Sequence, residues 1–96
     1  RAFPALRQRL ALARCTELPT RVHRLLELGR AFGARELWVK RDDETSPLYG
    51  GNKPRKLDFL LGDAIARRAR SVITFGGIGT NHGVATALFA RRFGLR

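Results

Sequence analysis

Ser71-Val-Ile-Thr-Phe75-Gly-Gly-Ile-Gly-Thr80-Asn-His-Gly83 decides the fold. Its first five residues are rich in β-branched and aromatic types, which predicts a strand of the buried kind. The glycine-bearing stretch 76–80 reads as a loop. From about Asn81 to Phe93 a helix follows, with Val84, Ala87 and Leu88 on one side and Gly94 ending it. A strand that runs through a glycine loop into a helix is the unit of a parallel α/β sheet. In open sheets of that kind, ligands sit beyond the carboxyl ends of the strands, where this loop lies.

Working back from that unit, a second helix is the clearest element. Asn52 suits an N-cap and Pro54 the first turn. Leu57, Leu60, Leu61, Ala64 and Ile65 form one apolar stripe at helical spacing. Before it, Glu36-Leu-Trp-Val-Lys40 alternates and reads as a strand, with Trp38 in the core. Asp42, Asp43 and Glu44 lack the alternating spacing of a calcium loop and read as partners for Arg41 and nearby helix ends. A further helix is expected from Thr20, its cap, to Phe32, with Val22, Leu25, Leu26 and Leu28 as the apolar stripe and His23 on the polar face. Thr16–Pro19 reads as a loop and Ala5–Ala13 as a short helix. The order α-α-β-loop-α-β-loop-α holds only two strands, too few for an independent sheet. It predicts, for residues 1–96, the N-terminal part of a larger α/β protein, with helices on both faces of an open parallel sheet and residues 1–17 as an N-terminal extension.

The chain has 96 residues and a formal net charge of +11. Seven Arg against two Glu lie in residues 1–30, six basic against six acidic residues in 31–66, and six Arg with no acid in 67–96. The excess therefore sits at the two ends. Arg1–Cys15, with four Arg and no acid, is compatible with an organellar transit segment, but an amphipathic helix is the preferred reading. The charge invites polyanion binding, yet aromatic residues are not interleaved with the arginines and no zinc, helix-turn-helix or RNA-binding signature is present. One cysteine, Cys15, excludes an internal disulfide framework. His82 has no Cys or carboxylate cluster to make it a metal ligand, so no metal is expected. No apolar run approaches the ~20 residues of a membrane span.

Two glycine loops open helices: Gly50-Gly-Asn-Lys-Pro-Arg-Lys56 and Gly76-Gly-Ile-Gly-Thr-Asn-His-Gly83. Free backbone N–H groups at a helix start suit phosphates and carboxylates. A Walker A loop is excluded, since no Gly-Lys-Ser/Thr follows. A dinucleotide loop is a loose alternative, from Gly77, Gly79 and Gly83. A third reading takes both loops together as a site for an aldehyde cofactor with a phosphate arm. Lys53 is then the Schiff-base amine, and the neighbouring cations Arg55 and Lys56 favour its neutral form. Lys56 supplies a charge for phosphate or carboxylate, while Thr80 and Asn81 offer neutral hydrogen-bonding groups. The plain alternative for Lys53 and Lys56 is a solvated first helical turn.

Leu37-Trp-Val-Lys-Arg-Asp-Asp43, Gly50-Gly-Asn-Lys-Pro-Arg-Lys-Leu57 and Ile73-Thr-Phe-Gly-Gly-Ile-Gly-Thr-Asn-His82 resemble the pyridoxal-phosphate enzymes of the tryptophan-synthase-β type, fold type II. Within that group the sequence is most similar to the aminocyclopropane-carboxylate deaminase and D-cysteine desulfhydrase family. The resemblance spans about Leu18 to Leu95. It implies pyridoxal 5'-phosphate as cofactor and a deaminase or lyase acting on a small amino acid, cytoplasmic and homodimeric at full length. By position, it implies that Lys53 binds the cofactor covalently and shuttles the α-proton. It sets Lys56 near the phosphate, Asn52 beside the cofactor, and Asn81 on the ring oxygen. Thr80 stands where the family usually has Ser, a substrate contact sometimes assigned as nucleophile, and His82 lines the substrate side. Gly79, where relatives often carry Gln, and Thr80 depart from the pattern at the substrate corner. The family's phosphate cup and pyridine-nitrogen partner correspond to positions after residue 96. The alternatives are a dinucleotide-binding α/β domain and a non-catalytic basic fragment that binds polyanions.

Overall fold

The structure is a computed structural model that describes residues 4–96. In chain order it contains α1 (Pro4–Arg9), β1 (Val22–Arg24), α2 (Leu26–Ala31), β2 (Trp38–Lys40), a 3-10 turn (Asp42–Glu44), α3 (Lys53–Ala66) and α4 (Asn81–Arg92). The core is small. Ala13, Cys15, Leu57, Leu61, Ala85 and Phe89 form it, with Tyr49, Val72, Phe93 and Leu95 packed at its margin.

α3 and α4 bring most of this core together. On α3 the buried positions are Pro54, Leu57, Asp58, Leu61 and Gly62, a stripe at i, i+3, i+4, i+7 and i+8. It shares Leu57 and Leu61 with the expected stripe but is rotated away from Leu60 and Ile65, which are 57% and 41% exposed. Residues 11–16 set the rotation. The Cys15 N–H and the Thr16 hydroxyl both donate to the Asp58 carboxylate, and the Ala13 N–H donates to the Asp58 carbonyl at 2.8 Å. A side chain at Gly62 would collide with the Ala11 backbone, so the strap crosses α3 where the helix has none. On α4 the core takes Ala85, Thr86, Phe89 and Ala90 rather than the expected Val84, Ala87 and Leu88. Phe89 is fully buried, and the largest apolar side chain on the helix fixes which face turns inward.

The helix expected over 20–32 is divided. Val22–Arg24 pairs antiparallel with Trp38–Lys40 in the register Val22↔Lys40, His23↔Val39 and Arg24↔Trp38. Only Leu26–Ala31 is helical. Thr20 caps nothing; its buried carbonyl and hydroxyl accept from the Lys40 ammonium. That bond holds the chain extended into β1. His23 thus lies half-buried in a strand and not on a helix. Trp38, expected in the core, is 55% exposed. The acidic run does pair as its composition predicts: Asp42 with Arg55 at 2.7 Å, Asp43 with Arg41 at 2.6 Å, and Glu44 with Arg21 and Arg41.

Residues 71–75 form no assigned strand, and Ile73 and Phe75 are 82% and 89% exposed. A strand exists only through its partner, and here the partner is one residue. The Arg96 N–H donates to the Arg70 carbonyl at 3.0 Å, and the Val72 N–H donates to the Arg96 carbonyl at 2.7 Å. Two bonds flanking Ser71 in this way are one rung of a parallel ladder. A parallel pairing of the kind expected thus begins at Ser71, where the chain after α4 returns to the 71–75 segment, while the sheet formed by β1 and β2 is antiparallel. The radius of gyration is 16.7 Å, against about 12.5 Å for a compact domain of this length. The apolar surface is correspondingly open. No helix among the described residues is long and apolar enough to cross a membrane.

Candidate functional site

Lys53 is the first residue of α3 and is half-buried. Its ammonium donates to Asn52 Oδ1 at 3.1 Å. Asn52 therefore does not act as the expected cap; its backbone is already helical and its side chain holds the lysine. Pro54 is buried in the first turn, so the turn carrying Lys53 is stiff on its inner side. Lys56 stands one turn later and is exposed. Arg55 between them is engaged elsewhere, by Asp42 and the Thr20 hydroxyl at 2.7 and 3.5 Å. It ties α3 to the 3-10 turn, and its charge is met by a carboxylate instead of standing free beside Lys53.

Thr80 precedes α4 with an extended backbone, and its carbonyl accepts from the Val84 N–H at 3.1 Å. Its N–H closes the loop by donating to the Gly77 carbonyl at 3.1 Å. The Thr80 methyl lies between two glycines: a Cβ at Gly76 would stand 2.6 Å from it, and one at Gly83 2.8 Å. At Gly77 and Gly79, apart from the adjoining residues, no atom lies within 4 Å of where a Cβ would be. Their backbone is open to a ligand.

Asn81 begins α4 and is exposed, and His82 beside it is half-buried. The two loops meet through a residue the sequence reading did not single out. Tyr49 Oη donates to Asn81 Oδ1 at 3.1 Å, while the Tyr49 ring packs on the core. The signal was its position, four residues before Lys53 and just ahead of Gly50-Gly51. Asp58 was missed as well, since a carboxylate within an apolar stripe reads as a surface residue. Cys15 beside it is inert: burial foremost, then the Asp58 charge, push its thiol up to about 12. A groove of about 550 Å³, bounded by Leu6, Leu10, Leu12, Leu18, Phe59, Arg55 and Asp58, includes neither Lys53 nor Thr80.

The parts suit a pyridoxal-type cofactor. A primary amine is held by an amide at one helix start. A second amide and a hydroxyl stand at another, next to glycine backbone with free space around it.

Known proteins point the same way. Residues 14–96 match the family model described as "Pyridoxal-phosphate dependent enzyme". The chain is 50% identical over 78 residues to nocardicin C-9' epimerase of Nocardia uniformis subsp. tsuyamanensis, covering 81% of this chain and 23% of that protein. It is 46% identical over 84 residues to a putative 1-aminocyclopropane-1-carboxylate deaminase of Pyrococcus abyssi, covering 85% and 25%. It is 51% identical over 70 residues to the mitochondrial bifunctional D-cysteine desulfhydrase/1-aminocyclopropane-1-carboxylate deaminase of Arabidopsis thaliana, covering 73% and 17%. The crystal structure of an ACC deaminase homologue superposes with a TM-score of 0.84 at 40% identity, over 95% of this chain and 28% of that one. The chain thus spans about a quarter or less of the length of these relatives. With that α/β fold, and with 83 of its 96 residues inside the family model, the chain belongs to the pyridoxal-phosphate dependent enzyme family.

Proposed function

We propose that residues 1–96 form the N-terminal part of a pyridoxal-phosphate-dependent deaminase or lyase acting on a small amino acid, of the 1-aminocyclopropane-1-carboxylate or D-cysteine kind. The observation that carries this reading is the link from the Lys53 loop to the Asn81 loop through Tyr49. Pyridoxal phosphate supplies, when bound, an electron sink for the pair left by a bond broken at the substrate's Cα. Lys53 holds the cofactor and moves a proton at the substrate carbon, its amine kept in place by Asn52. Lys56 offers charge toward the phosphate, and Asn81 donates to the ring oxygen. Thr80 and His82 bound the substrate side, with the Thr80 hydroxyl available to a substrate carboxylate. Water is consumed and ammonia and a keto acid leave, with sulfide as a further product where the substrate is D-cysteine. The full-length enzyme is read as a cytoplasmic homodimer.

The test is the full-length protein with added pyridoxal phosphate. A visible absorbance band that borohydride removes, and that Lys53→Ala abolishes, is expected. A protein with no such band, or a Lys53→Ala variant that keeps it, contradicts the proposal.

A further inference from the structure

We infer that Tyr49 is a positioning residue, fixing which end of the Asn81 side-chain amide faces the cofactor; this rests on the functional reading above. A side-chain amide has an acceptor end and a donor end, and nothing in its own shape selects between them. At Asn81 the structure sets that choice with a phenol that acts as the donor. The Tyr49 hydroxyl donates to Oδ1 at 3.1 Å, so the oxygen is occupied and the two N–H donors of Nδ2 are left for another group. A ring oxygen that carries negative charge needs donors, and a reversed amide would offer it a lone pair.

Tyr49 is suited to the task because it is itself held. Its ring packs against the core cluster that includes Leu57, Leu61 and Phe89, and a tyrosine placed by its ring has little rotamer freedom left at its hydroxyl. The segment carrying it is pinned on either side. The Gly51 N–H donates to the Asp42 carbonyl at 2.7 Å, and the Thr45 hydroxyl donates to the Gly51 carbonyl at 2.6 Å. Asn81, by contrast, is exposed on the first turn of α4. An exposed amide held by the hydroxyl of a ring packed on the core is oriented by that hydroxyl.

A double-mutant cycle in the full-length protein tests this. Dissociation constants for pyridoxal phosphate are measured from the visible band for the wild type, Tyr49→Phe, Asn81→Ala and the double variant. Tyr49→Phe is expected to weaken binding about three- to tenfold in the presence of Asn81 and to change nothing in the Asn81→Ala background. It is also expected to move the pH midpoint of the band, which loss of packing alone does not. Wild-type affinity for Tyr49→Phe, or an equal loss in both backgrounds, overturns the proposal. Should Tyr49→Phe fail to fold, 3-fluorotyrosine at position 49 keeps ring and hydroxyl. Its fluorine resonance is expected to shift on Asn81→Ala without cofactor and again on adding pyridoxal phosphate, and an unmoved resonance overturns the proposal. A wild-type protein with no borohydride-sensitive band fails the functional reading and takes this proposal with it. The fluorine resonance still reads the Tyr49–Asn81 contact by itself.

Discussion

The methyl carbon of Thr80 occupies the space beside Gly83, 2.8 Å from where a Cβ there would lie. Thr and Ser differ by that carbon, so the contact links the Thr80 side chain to the absence of one at 83. Gly83→Ala is expected to destabilise the protein by about 1–2 kcal/mol, as overpacking does. With Thr80→Ser the methyl is gone, and the same Gly83→Ala change is expected to stabilise α4 by up to about 1 kcal/mol through helix propensity. Urea denaturation of the four proteins checks the reversal of sign; an equal effect in both backgrounds contradicts it.

Gly79 has a φ of +78° and open space around its Cα. A Cβ there meets no neighbour within 4 Å, so the cost of adding one lies in the backbone. Gly79→Ala and Gly79→Gln are both expected to lose about 1–2 kcal/mol. Thermal melts of the two variants check this, and a Gln variant as stable as the wild type indicates that the 77–80 turn changes conformation to accept it.

The Asp58 carboxylate accepts from Cys15 and Thr16 and holds the 11–16 strap on α3. Asp58→Ala is expected to cost about 3 kcal/mol and Asp58→Asn about half of that, since the amide still offers one acceptor. Hydrogen exchange at the Cys15 amide reads the strap directly. Exchange as slow in Asp58→Ala as in the wild type contradicts the assignment.

Cys15 gives the protein an alkaline limit. Burial and the adjacent Asp58 raise its thiol from an ordinary 9.0 to about 12. The folded state therefore keeps a proton that the unfolded chain releases. Its stabilising effect is complete below pH 9 and is lost as the pH rises from 9 toward about 12. The melting temperature of the wild type is expected to fall more steeply over that window than that of Cys15→Ala. Parallel curves for the two contradict it.

Local chemistry was legible in the sequence where it depends on near neighbours. Pro54 and the Leu57–Leu61 spacing announce α3, and the acidic run 42–44 beside Arg41 announces its own ion pairs. Partners distant in sequence were not legible. Val22–Arg24 is a strand because Trp38–Lys40 lies alongside and Lys40 takes the Thr20 oxygens, whereas a 3.6-residue period over 20–32 fits the same residues. The rotation of α3 depends on Asp58 meeting a segment 42 and 43 residues away. The site shows the same division. Lys53, Asn81 and Thr80 stand out through their glycine loops, but Tyr49 becomes relevant only once the fold carries its hydroxyl to α4.

Of the chain's three lysines, Lys53 is the one proposed to take the cofactor. Lys40 is committed to Thr20, Lys53 is held by Asn52, and Lys56 is exposed one turn on. Borohydride reduction of the full-length protein with pyridoxal phosphate, followed by peptide mass mapping, distinguishes them. One modified site within residues 1–96, at Lys53, is expected. Modification at Lys56 instead, an even spread over the three lysines, or none among them contradicts it.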